Sequence, residues 1–136
     1  MKASHIEQVH QSLKRCNGNP RFLDVFYETF LSASPAIAEK FADTEMTRQK
    51  RMVEASLYTS ILAAEGVPYA VSFIKRLGEK HRDLPIGPAL YELWLDSLLQ
   101  TVSVCDEAFN EQVEAAWRAV LRRSIETMLA TYEMQD

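Results

Sequence analysis

Long apolar runs are the first thing this 136-residue sequence lacks. Charges interrupt every apolar stretch, and the opening MKASHIEQVHQ carries no hydrophobic segment. Neither a membrane span nor a secretory leader is therefore expected. Cysteine is scarce as well: Cys16 and Cys105 are the only two, and their spacing matches no metal motif. Two thiols in a chain of this length suit a reducing cytoplasm rather than a disulfide scaffold. Excess basic charge is missing too. The net charge of −4 argues against nucleic acid or an anionic membrane surface as partner. With four glycines there is no glycine-rich nucleotide loop, and no stretch is left over for a flavin or nicotinamide domain. What remains is ordinary: 47% apolar and 25% charged residues, enough for one domain over 1–136 with a single core.

Apolar residues recur at spacings of three and four, the period of a helix with one buried face. Ile6, Val9 and Leu13 mark one such face, and Phe22, Val25, Phe26, Phe30 and Leu31 a second. Others follow around Val53, Val71, Leu90 and Trp117. Proline fits the first turn of a helix and breaks its interior, so the five prolines punctuate the pattern. Asn19-Pro20 and Ser34-Pro35 read as cap and first turn, Pro68 and Pro88 begin two more helices, and Pro85 falls in a turn. Asp106 reads as a cap for the last helix. Helices are expected over 3–15, 20–33, 35–41, 46–64, 68–81, 88–103 and 107–133. The fold class is all-α, and helices this unequal fit a globin-like packing better than an up-down bundle.

His81 is the only histidine beyond the first ten residues, and it stands four residues after Leu77 at the end of an expected helix. A metal-ligating histidine needs a neutral ring with one nitrogen free and its other N–H held by a fixed acceptor. A free carbonyl in the last turn, such as that of Leu77, is one such acceptor. The competing reading is a surface histidine favoured by the negative end of the helix dipole. His5 and His10 are five apart, do not share a helix face, and read as solvated. Thr47 to Arg51, TRQKR, reads as a solvated face, with a patch where a cation meets the carboxylates of a cofactor as the alternative.

FYETFLSASPAIAEKF, residues 26–41, resembles the second and third helices of bacterial haemoglobins and flavohaemoglobins. It has their Phe-Tyr pair, serine-proline helix start and closing phenylalanine. IKRLGEKH, residues 74–81, resembles that family's proximal helix, which ends on the iron-ligating histidine. Tyr91, ten residues later, and Ala115 to Trp117, AAW, also match, so the resemblance covers nearly the whole chain. It implies about seven helices around a haem b pocket, with His81 as the metal ligand. It further implies Tyr27 as a donor over the distal face, Phe41 stacked on the porphyrin, and Tyr91 on the proximal side. Val53, Leu77 and Ile86 would complete the apolar walls.

Two positions depart from the family pattern. The distal residue, often glutamine, lies 32 residues before the proximal histidine, which falls on Gln49. An alignment without a gap after Phe41 places Arg48 there instead. Periodicity favours Gln49, because Val53 and Leu57 then share its face, whereas Arg48 would bring Met52 and Ala55 inward. The proximal glutamate of flavohaemoglobins falls on Tyr132. Glu133, beside it, is rotated about 100° around the helix. Peroxidase-like activation is thus not expected, and Tyr91 is left to orient His81.

The resemblance implies reversible binding of O2 and other diatomic gases, NO and CO. Dioxygenation of NO would need a separate reductase. Two other readings stay open at this point. One is a haem-free module that signals through protein contacts, and the other a haem-based redox or gas sensor in which Met52 or Lys50 binds the iron. The oligomeric state is also open, with Trp94 and Leu98 serving either the core or a subunit contact.

Overall fold

The computed structural model describes residues 3–83 and 86–133. Seven helices run along them: α1 (Ala3–Asn17), α2 (Phe22–Ser32), α3 (Pro35–Lys40), α4 (Met46–Ala64), α5 (Pro68–Asp83), α6 (Pro88–Cys105) and α7 (Glu111–Glu133). No strand occurs among the described residues, and no helix there is long and apolar enough to cross a membrane.

Local chemistry sets most boundaries. Before α3, the Ser34 hydroxyl accepts the Ala36 N–H at 3.2 Å with Pro35 in the first turn, the expected serine-proline start. The Glu45 carboxylate caps α4, accepting the N–H groups of Thr47 (3.2 Å) and Arg48 (2.8 Å). At the other end of α4, Gly66 has φ of 86°. The Val67 N–H reaches the Leu62 carbonyl at 3.1 Å and the Gly66 N–H that of Ala63 at 3.0 Å. This left-handed glycine closes one helix and aims the chain into α5.

Two starts fall later than the sequence suggested. Asn19 accepts the Arg21 N–H on its side chain at 2.9 Å and the Phe22 N–H on its carbonyl at 3.0 Å. Asn19 and Pro20 therefore build a turn, and α2 begins only at Phe22. Helix α7 is capped by Asn110, whose side chain accepts the Val113 N–H at 2.8 Å, so Asp106 is not its cap. Three ends fall two residues later than expected: α1 runs to Asn17, α6 to Cys105, and α5 to Asp83, past His81. Pro85 lies outside the described residues.

The carboxylate of Asp106 is instead buried in a polar knot. It accepts the Ser12 hydroxyl at 2.6 Å and the Arg15 guanidinium on both oxygens. The Trp117 indole N–H donates to the same Ser12 oxygen at 2.9 Å. The knot joins α1, α7 and the end of α6.

Around it the helices pack mainly in pairs: α5 on α7, α1 on α7, α2 on α6 and α4 on α5. Val9, Leu13, Phe26, Leu57, Ile74, Leu98 and Trp117 form the centre of the core. Leu98 is fully buried, and Trp94 meets Phe26 edge-on with ring centroids 5.9 Å apart. Leu98 belongs to the interior, and Trp94 packs half-buried against it. His5 departs from its expected solvation: it lies four residues before Val9 on the inward stripe of α1 and is half-buried. His10 is exposed, as expected.

Candidate functional site

Helices α5 and α6 bring His81 and Tyr91 together, with the His81 Nδ1 2.9 Å from the Tyr91 hydroxyl. Burial lowers the pKa of His81, which favours the neutral ring, and pushes the Tyr91 hydroxyl up to about 12, so it keeps its proton. No described residue takes the His81 Nε2. In the tautomer whose Nδ1–H donates to the Tyr91 oxygen, the neutral imidazole presents the lone pair of Nε2, which is the donor state a metal requires. The Leu77 carbonyl is not the holder, because α5 continues to Asp83 and keeps that carbonyl within the helical ladder.

A residue that the sequence reading passed over fixes the height of this helix. A Cβ on Gly78 would lie 2.9 Å from the Cα of Met128, so α5 and α7 touch backbone to backbone one turn before His81. The available signal was a glycine inside an apolar-periodic helix. There it costs stability relative to alanine and so points to close packing.

Tyr27, on α2, is buried in an aromatic nest. Its ring meets Phe26 at 4.9 Å and Phe41 at 5.9 Å between centroids, both edge-on. Phe41, half-buried at the end of α3, also meets Phe30 at 6.0 Å. Burial pushes the Tyr27 hydroxyl up to about 12, although a hydrogen bond with the Gln49 side chain works the other way. Gln49 is half-buried, and Val53 and Leu57 behind it are buried, whereas Arg48, Met52 and Ala55 are exposed. Of the two candidates, Gln49 is the one on the inward face of α4. Lys50 is engaged by Asp24 at 2.7 Å, and Met52 is 45% exposed. Neither is aimed inward as an iron ligand would be.

The expected site residues thus form two sets, Tyr27–Phe41–Gln49 and His81–Tyr91, joined among the described residues by no hydrogen bond or ring contact. Helix α6 spans both, carrying Tyr91 for one and Trp94, which leans on Phe26 beside Tyr27, for the other. Val53 is in the core, and Leu77 and Ile86 pack half-buried against it. The side chains of Tyr132 and Glu133 lie outside the described residues. Among the described residues no three His, Cys, Asp or Glu side chains gather to hold a metal ion. A single held imidazole therefore suits a metal whose other ligands come with it, as in a haem, and the donor set fits that group.

Comparison with known proteins identifies the family and the fold. The family model described as Globin matches residues 24–128. Protein PA3967 of Pseudomonas aeruginosa PAO1, described as structurally highly homologous to a human hemoglobin, has a solved structure that superposes with a TM-score of 0.90. It is 38% identical, over 94% of this chain and 98% of that one. No curated protein sequence matches. The chain belongs to the globin family, and its fold is that of a bacterial single-domain globin.

Proposed function

We propose that residues 1–136 act as one haem b-binding globin domain that reversibly binds O2 and other diatomic gases, NO and CO. With electrons from a separate reductase it would also convert NO to nitrate. The observation that carries this reading is the half-buried, neutral His81, held by Tyr91 through Nδ1 with Nε2 left to a metal. When bound, haem supplies an iron that takes up diatomic gases and, with O2 and a reductant, oxidises NO.

The chain's own residues do the rest. His81 would hold the iron, and Tyr91 fixes the ring so that Nε2 presents its lone pair. Tyr27 and Gln49 offer an O–H and an N–H donor to a gas carrying partial negative charge. Phe41, Val53, Leu77 and Ile86 keep water from the site. A haem-free interaction module has no use for a histidine held in this way. A six-coordinate sensor would need Lys50 to leave Asp24, or Met52 to turn inward. The two cysteines, both free thiols, suit a cytoplasmic setting.

Tyr27→Phe tests the distal half of this reading. Losing one hydrogen bond of ~1–1.5 kcal/mol should raise the O2 dissociation rate roughly tenfold, with association little changed. Because Tyr27 and Gln49 bond each other, Tyr27→Phe with Gln49→Leu should cost less than the product of the single effects. Stopped-flow O2 displacement measures this, and dissociation unchanged in both single variants would show that neither donor reaches the gas.

A further inference from the structure

A cleft lies beside Tyr27, on the outer side of the α2–α4 pair. It is a surface cleft of about 360 Å³ walled by Arg21, Asp24, Tyr27, Glu28, Leu31, Met46 and Lys50. Asp24 and Leu31 come from α2, Lys50 and Met46 from α4, and the Lys50–Asp24 ion pair at 2.7 Å ties the two helices across it. Tyr27 is only 3% exposed, yet it lines this cleft while its ring meets Phe41 and its hydroxyl meets Gln49. One side chain thus stands between the cleft and the residues assigned to the gas.

We propose that the α2–α4 cleft is the access route for the diatomic gas, with Tyr27 as its inner door and the Lys50–Asp24 ion pair as the latch. This rests on the gas-binding reading given above. Leu31 and Met46 give the route an apolar strip beside the charged Arg21, Asp24, Glu28 and Lys50, and a small neutral molecule crosses it without loss of hydrogen bonds. The ion pair is partly exposed, so thermal motion and salt open it readily. A route residue changes the barrier and leaves both end states alone. It must therefore alter association and dissociation by the same factor, whereas a group touching the bound gas alters their ratio.

The experiment is CO binding to the haem-loaded protein, followed by flash photolysis and by displacement with NO. Lys50→Met removes the latch and should raise both rates by the same factor, up to roughly fivefold. Met46→Trp narrows the cleft and should lower both severalfold. In each variant the CO equilibrium constant and the infrared stretching band of the bound gas, which reports the polarity facing it, should stay at their wild-type values. Raising salt should speed the wild type and not Lys50→Met. If CO binds and both variants keep wild-type rates, the gas enters elsewhere. If only dissociation or the infrared band moves, these residues act on the bound gas and are not a route. A wild-type protein that takes up haem but forms no carbonyl complex would overturn the gas-binding reading itself, a result distinct from unchanged rates.

Discussion

Glycine in place of His81 should abolish the axial bond to haem while leaving the fold intact. The ring is half-buried near the end of α5, and among the described residues its polar partner is Tyr91, so its loss removes that one hydrogen bond. The Soret band of the reconstituted variant should shift and weaken, and haem should pass quickly to an added apoglobin scavenger. Free imidazole should restore the wild-type spectrum by filling the space the side chain left. Tyr91→Phe should keep the bond but lose the hold on Nδ1, and such supporting contacts are worth roughly 10- to 100-fold in metal affinity. Acid acts on the same nitrogen. Burial holds the pKa of His81 below its ordinary value of 6.5, so the folded state prefers the neutral ring. The associated stability is complete above that value and is lost as pH falls from there through the folded pKa. Haem retention should follow the same direction, because a proton and the metal compete for Nε2.

Asp106→Ala should be the most destabilising single change away from the site. The Asp106 side chain is fully buried, and it serves Ser12, Arg15 and the Ala108 N–H at once. Its removal leaves the buried Ser12 hydroxyl short of an acceptor, while Arg15, about one-third exposed, can return to water. The expected cost is about 2–3 kcal/mol, which lowers the melting temperature by roughly 10 °C. Burial raises the pKa of Asp106, but the hydrogen bonds from Arg15, Ser12 and Ala108 outweigh it and hold the carboxyl below its ordinary value. A depressed carboxylate contributes stability that is present above the unfolded pKa, near 3.8, and is lost as pH falls through the folded one. Thermal melts of wild type and variant should therefore differ most at neutral pH and converge in strong acid. A gap that stays constant into acid would show that the charge of Asp106 is not what holds α1 to α6.

How much of this was legible in the sequence depended on how local the chemistry was. Helix ends written in neighbouring residues were readable: Ser34-Pro35, Gly87-Pro88 and the whole span of α4 fall where the sequence put them. Ends decided at a distance were not. Asp106 is as good a cap as Asn110 by residue type, and only Arg15, 91 residues away in sequence, explains why it is drawn elsewhere. Gln49 over Arg48 was readable from periodicity, since Val53 and Leu57 share its face. The contact of Gln49 with Tyr27 needed the packing of α2 on α4. Tyr91 was placed near His81 by resemblance, and the structure adds the 2.9 Å distance and the nitrogen involved. Gly78 carried only a weak sign, because its reason lies on α7, fifty residues on.

The most direct test of the central claim is a haem titration of the chain followed by optical and resonance Raman spectra of the ferrous form. The account predicts saturation at one haem per chain and a five-coordinate ferrous spectrum with an iron–histidine stretch that is absent in His81→Gly. Addition of CO or O2 should change that spectrum reversibly. Uptake without saturation, or an iron–histidine stretch that survives in His81→Gly, would contradict it.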